Sequence, residues 1–272
     1  IQKMRYITIL NMSGRICTML GIFLLVKSPD DYILAAFLQA CTPLIAGIFS
    51  IVWLRKHYTG LFKLPPMDEI INSYKEGWSI FVSSLAVNLY TATNVVVLGM
   101  LTNNVIVGYY SAADKLITCV RRGIYAVSDA IYPFISKMMR DDIPKGLQFI
   151  RKQLFLYLLI GLVGCTSLFF FSDTIVTLLF GADYELTVDV LRILSFVPLA
   201  VAISTVFGEE TMLPLNMNSA YSRTLVLAAF FSLLSIFPLC YMWGAEGVAM
   251  TMLLTEFLIM IVMGGLLWKR LL

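Results

Sequence analysis

The stretch VGYYSAADKLITCVRRGIYAVSDAIYPF, residues 107–134, carries Asp114, Lys115, Arg121, Arg122 and Asp129 within one helix length. The apolar segments on either side, about 78–101 and 154–172, carry no charge at all. Either the stretch is a water-exposed connector, or it is a helix that takes five charges into the environment of its neighbours. The reading of the whole chain turns on that choice.

Composition narrows it. Hydrophobic residues fill 59% of the 272 positions, and the mean hydropathy of +0.85 lies far above that of a soluble globular domain. Charged residues, at 14%, are too few to coat a water-facing surface of this size. Apolar runs of about 20 residues recur, each long enough to cross about 30 Å of hydrocarbon as a helix. The class is therefore all-α, a polytopic membrane helix bundle. The net charge of +3 says little, because the placement of the charges matters more than their sum.

Cys17, Cys41, Cys119, Cys165 and Cys240 all lie in apolar segments without a C-x-x-C pair, and read as small apolar fillers. The single histidine, His57, leaves no His-based metal site or catalytic triad to build. No catalytic residue, metal or cofactor is expected. The first 26 residues mimic a signal peptide, but Arg15 interrupts the apolar run and no small-residue cleavage site follows. The chain opens on Ile, and the expectation is a fragment.

Seven apolar segments stand out, at about 7–26, 32–54, 78–101, 154–172, 187–207, 224–242 and 247–268. Hydropathy alone rates 107–134 poorly as an eighth, since each central charge costs roughly 2.5–3.5 kcal/mol on insertion scales. Charge parity decides. Residues 55–77 hold Arg55, Lys56, Lys63 and Lys75, and residues 137–153 hold Lys137, Arg140, Lys145, Arg151 and Lys152. If 107–134 spans, both basic stretches face the cytoplasm, as positive-inside bias requires. The connectors then assigned outside (27–31, 102–106, 173–186 and 243–246) contain one basic residue, Lys27, against six acidic ones. Eight transmembrane helices result, with both ends of the chain cytoplasmic.

The five charges then cannot face lipid. Lys115, Arg122 and Asp129 are spaced by seven, within about 40° of one helix face; Asp114 and Arg121 form a pair on the adjoining face. Such a stripe suits a water-filled cavity, or alternatively an interhelical ion-pair network that only holds the bundle together. Asn11, Arg15 and Thr18 share a face of the first span, and Ser84, Asn88, Thr91 and Asn94 make a polar ridge on the third. Such residues also serve as interhelical glue. Arg192 and Glu256 are further charges inside apolar segments.

The first two spans resemble the last two. Each pair has an acid in its connector, Asp31 or Glu246, followed 22 residues on by a Trp in WLRK or WKR. Two lobes related by a pseudo-two-fold axis would explain this. Residues 1–54 then form the last two spans of an incomplete N-terminal lobe. Residues 55–77 are a cytoplasmic linker, and 78–272 a six-span C-terminal lobe. About four spans would be missing before Ile1.

The stretches QKMRYITILN (2–11), EGWSIFVSSLAVNLYTATNVVVLG (76–99), VGYYSAADKL (107–116) and IYPFISK (131–137) resemble the Wzx-type O-antigen flippases. These are polysaccharide transporters of the multidrug/oligosaccharidyl-lipid/polysaccharide exporter superfamily, and the resemblance covers essentially the whole chain. It implies spans five to twelve of a twelve-span, two-lobe transporter in the bacterial inner membrane. It also implies translocation of undecaprenyl-diphosphate-linked oligosaccharide, with the bilayer and other polysaccharide-assembly membrane proteins as partners.

On that reading Arg15, Lys115 and Arg122 are cavity cations for the diphosphate, and Arg121 is a further substrate-binding candidate of the cavity. Asn88, with Tyr90, Tyr109 and Tyr110, is a candidate for the sugar hydroxyls, and Asp114 and Asp129 are ion-coupling candidates. Rocking of the lobes would give alternating access. A drug/cation antiporter of the same superfamily is the nearest alternative, although the buried charge leans basic. A polysaccharide polymerase or lipid-linked glycosyltransferase would need a polar catalytic loop or a D-x-D motif. The outside connector SDTIVTLLFGADYE has neither. The basic residues are short flanks rather than a face, which excludes nucleic acid as a partner.

Overall fold

The computed structural model describes residues 4–28, 31–57 and 66–271. Of the expectations above, those resting on the side chains of Asn11, Arg55 and Lys56 and on residues 58–65 of the linker lie outside the described residues. Every regular element among the described residues is helical. In chain order they are α1 (Met4–Leu25), α2 (Tyr32–His57), α3 (Met67–Leu101), α4 (Asn104–Asp141) and α5 (Ile143–Phe170). There follow α6 (Ser172–Phe180), α7 (Glu185–Leu194), α8 (Val197–Phe207) and α9 (Asn218–Leu271). A 3-10 turn at Ala182–Tyr184 precedes α7, and a π turn at Gly208–Met212 extends α8.

The stretch 107–134 lies inside α4, one uninterrupted helix of 38 residues. It is about 57 Å long and packs against α5, α7, α8 and α9, so it is an element of the bundle and no connector. The helix starts where Asn103 Oδ1 accepts from the backbone N–H groups of Val105 and Ile106, at 3.0 and 3.1 Å. It ends at Asp142, which also caps α5 by accepting from Lys145 N at 3.2 Å. One residue therefore reverses the chain. The basic stretch 137–153, expected as a loop, is instead the continuation of two helices beyond their apolar parts. The Lys145 ammonium lies 2.9 Å from Asp142 and, with the backbone bond, holds that carboxyl below the usual carboxylate range.

The chain divides into two compact units, Ile1–Ile70 and Ile71–Leu272, the division falling in the first turn of α3. In the first unit α1 packs on α2, with Leu38 seated against Gly21. Their connector is fixed by Asp31, whose Oδ2 accepts from Lys27 N at 3.1 Å and Ser28 N at 3.0 Å. Those two bonds lower its pKa.

In the second unit the core forms around α7 and α8. Leu191, Leu194 and Val197 are fully buried there, against Leu98 of α3, Tyr110 and Ile117 of α4, and Ile236 and Val248 of α9. The outside is apolar as well: Phe155, Ile160, Val163, Phe170 and Leu178 are at least half exposed. So continuous an apolar exterior belongs in lipid rather than water. The connector expected outside, 173–186, carries secondary structure of its own, since α6 occupies most of it and buries Val176.

The 54 residues of α9 are two arms folded back on each other. Gly244 makes the reversal with φ 55° and ψ −125°, a conformation side-chain-bearing residues rarely adopt. At Gly247 a Cβ would run into the Leu239 carbonyl, so the arms approach there as only glycine allows. The two apolar segments expected at 224–242 and 247–268 are these arms. The eight expected segments fall on helices, that at 187–207 being shared by α7 and α8. Among the described residues the stretches Phe81–Leu101, Ile143–Phe170, Glu185–Met212 and Asn218–Arg270 are long and apolar enough to cross a membrane.

Candidate functional site

The charges of α4 separate into two rows on adjoining faces. In the inner row, Arg121 Nη2 lies 3.3 Å from Glu256 Oε1 on the second arm of α9, with side-chain exposures of only 10% and 4%. The same oxygen accepts from the Tyr90 hydroxyl of α3 at 3.1 Å. Three helices are thereby joined through one carboxylate. A buried ion pair holds when further hydrogen bonds satisfy its oxygens, and Tyr90 supplies one here. Beside the pair is a small pocket of about 50 Å³, into which Tyr125, Glu209 and Tyr221 also face.

One turn beyond Tyr125, Ser128 Oγ donates to Glu210 Oε1 at 2.6 Å. Glu209 and Glu210 sit in the π turn. Its wider spacing shows in Leu213 N donating to Gly208 O at 3.1 Å and Met217 N to Met212 O at 2.8 Å. The turn sends the two neighbours different ways: Glu209 lines the small pocket, and Glu210 is fully buried against α4.

The outer row is Lys115, Arg122 and Asp129, all exposed and spanning about 21 Å of helix. Lys115 and Arg122 make no ion pair or side-chain hydrogen bond among the described residues. Asp114 is half-buried on the inner face, within electrostatic reach of Arg121; Asp129 is within reach of Glu209.

The remaining sequence candidates fall in different places. Arg15 is exposed on α1 in the first unit. Asn88 is exposed on α3, and its amide donates to Ser84 O of its own helix at 2.8 Å. Tyr90 and Tyr110 are core residues, the Tyr110 hydroxyl reaching Met252 Sδ at 3.8 Å. Tyr109 stacks edge-on against Tyr184 at 5.4 Å. Arg192 is half-exposed and paired with Asp189 of its own helix at 3.2 Å, so of the two further charges only Glu256 lies inside.

Sequence reasoning passed over Ser128, Gln153, Glu209 and Glu210. The two glutamates come directly after the apolar segment ending at 207, where acidic residues usually mark the edge of a span. The one available sign was Gly208 before them, at the place where the helix widens.

The family of polysaccharide biosynthesis proteins matches residues 1–139, just over half of the chain. A putative O-antigen transporter of Shigella dysenteriae is 30% identical over 97% of this chain and 66% of its own length. A putative O-antigen transporter of Escherichia coli K12 is 30% identical over 95% of this chain and 62% of its own length. The chain thus spans slightly less than two thirds of the length of these curated relatives. No solved structure matches it. An all-α membrane bundle whose helix α4 carries one buried and one exposed charged row, and a family match that runs through both rows, agree with one another: the chain belongs to the polysaccharide biosynthesis protein family.

Proposed function

We propose that this chain serves the translocation of undecaprenyl-diphosphate-linked O-antigen, or other surface-polysaccharide repeat units, across the bacterial inner membrane. It acts as a flippase and not as an enzyme. The observation that carries the reading is the outer row of α4, where two cations stand exposed and unpaired on a helix of an apolar bundle. Intramembrane charge is costly and is kept where it does work. A lipid-linked sugar presents an anionic diphosphate, and ammonium and guanidinium groups pair with phosphate oxygens.

In this account Lys115 and Arg122 hold the diphosphate, and Arg15 is a further cation of the kind such a group attracts. Asn88 offers its amide to sugar hydroxyls. Arg121 acts indirectly, fixing the angle of α4 through Glu256. Asp114, within reach of Arg121, and Asp129, in the outer row, are the coupling groups. Residues 1–54 and 78–272 belong to two lobes joined by a cytoplasmic linker, 55–77, and alternating access comes from their rocking. The division between Ile70 and Ile71 falls inside that linker and supports the arrangement. Both ends of the chain face the cytoplasm, and other polysaccharide-assembly membrane proteins are its partners.

The cation-coupled drug antiporter remains a second reading because Glu209, Glu210 and Glu256 form an acidic interior. The deciding experiment is complementation, in a strain lacking its O-antigen flippase, by the reading frame that contains this chain. The readout is the lipopolysaccharide ladder. Restoration of the ladder is the expected result. A missing ladder despite membrane expression, together with resistance to cationic drugs, would replace the flippase by the antiporter.

A further inference from the structure

The inner row ends in a polar cluster that the outer-row mechanism does not use. Glu210 is fully buried in the π turn. Its Oε1 accepts from Ser128 of α4 at 2.6 Å, while Oε2 has no hydrogen-bond partner. Gln153 of α5, only 6% exposed, has its amide within interaction distance of this carboxylate, yet neither amide atom meets a partner in good hydrogen-bond geometry. The Tyr157 hydroxyl, one turn along α5 and next to Gln153, is also unpartnered. Unpaired buried polar atoms are individually costly, and this cluster holds several from two facing helices and the turn between them.

We propose that Glu210, Ser128 and Gln153 bind a monovalent alkali cation, with the Tyr157 hydroxyl as a further donor. The chemistry of the set selects that class. Oxygen is the only donor atom it needs, once the Gln153 amide is turned to present Oε1. An oxygen set without imidazole or thiolate suits hard cations rather than transition metals. The single carboxylate balances one positive charge, not two.

Among the described residues no lysine or arginine pairs with Glu210. The buried guanidinium of Arg121 is engaged by Glu256. The other titratable groups facing the turn are Glu209 in the turn itself, Asp129 and Tyr125 of α4, and Tyr221 of α9, none of them cationic. The π turn positions the site, since its extra residue swings Glu210 inward between α4 and α5, both of which pack on it. A cation there would tie α5 to α4 and α8. The site rests on these residues alone and requires no particular transported substrate.

The test is thermal unfolding of the purified full chain in lipid nanodiscs, titrated with NaCl, LiCl or KCl at constant ionic strength in choline chloride. At least one alkali cation is expected to raise the melting temperature saturably. Glu210→Gln keeps the shape and removes the charge, and is expected to abolish the shift while melting in choline no lower than the wild type. Ser128→Ala and Gln153→Leu are expected to move the titration midpoint at least about tenfold, the effect of about 1.4 kcal/mol of lost binding. Asp189→Asn, on the α7 surface, should leave it in place. If no alkali cation acts beyond choline, or if only pH moves the melting point, the proposal is overturned. A shift that survives in Glu210→Gln overturns it too. Should Glu210→Gln fail to fold, unchanged midpoints in both other variants would have the same consequence. None of these outcomes bears on the lipopolysaccharide ladder, so the cation site and the flippase reading fail separately.

Discussion

The inner and outer rows of α4 use the same residue types on one helix and come to opposite ends. Arg121 is buried, its charge met by Glu256, whose carboxylate also accepts from the Tyr90 hydroxyl of α3. Arg122, the next residue, is turned by about 100° and stands exposed without an ion-pair partner among the described residues. A one-residue step thus separates a charge that holds the bundle together from one that is free to meet a ligand. What sets the role of each arginine is the face it occupies, and faces on a helix are fixed by spacing.

The sharpest way to break this comparison is to remove the partner of the inner charge. Glu256→Ala leaves a buried, uncompensated guanidinium and should destabilise the protein by about 3–5 kcal/mol, read as a fall in melting temperature and in folded yield. Replacing both partners with methionine should recover most of that loss. If the single variant melted like the wild type, the inner row would not be the fastening it is taken to be.

Accessibility sharpens the comparison residue by residue. In a cysteine-free background, single cysteines at Lys115, Arg122 and Asp129 should react with a membrane-impermeant maleimide from the appropriate side. Cysteines at Arg121 and Ser128 should stay unlabelled until the protein is unfolded. Equal labelling at positions 121 and 122 would erase the distinction between the rows.

The smallest expected effect lies at the end of α4, outside both rows. The Asp142 carboxyl is held below its ordinary range by the Lys145 ammonium and backbone N–H. A group whose folded pKa is depressed contributes stability that is present above its unfolded value of about 3.9 and is lost as pH falls through the folded value. Asp142→Asn keeps a capping oxygen, so it should differ from the wild type only in flattening that acid limb of a melting-temperature profile. An unchanged acid limb would mean the cap carries no pH-dependent stability.

Much of this architecture was legible before any coordinates. The apolar segments and the charge parity of the basic flanks required 107–134 to be a helix of the bundle, and α4 runs through all of it. The heptad spacing of Lys115, Arg122 and Asp129 was enough to gather the exposed row. Harder to read was everything that depends on a distant partner. Glu256 is 135 residues from Arg121, and no local pattern joins them. Tyr90 and Tyr110 looked like sugar-facing hydroxyls because polarity alone does not reveal that a ring is packed in the core. Glu210 was passed over for a geometric reason. A π turn adds one residue to the helix and rotates the side chains beyond it, so one that ideal periodicity places at the rim is carried inside.

If the outer row of α4 meets the diphosphate of a lipid-linked sugar, removing its two cations cuts the supply of surface polysaccharide. The most direct test is the lipopolysaccharide ladder of a flippase-deficient strain carrying the double variant Lys115→Ala/Arg122→Ala at wild-type membrane levels. Two lost charge-assisted contacts, worth about 1.5–3 kcal/mol each, should reduce the ladder by about tenfold or more with the melting temperature unchanged. A ladder of normal intensity and chain length would contradict the account, and the outer row would then be a solvated face with no part in transport.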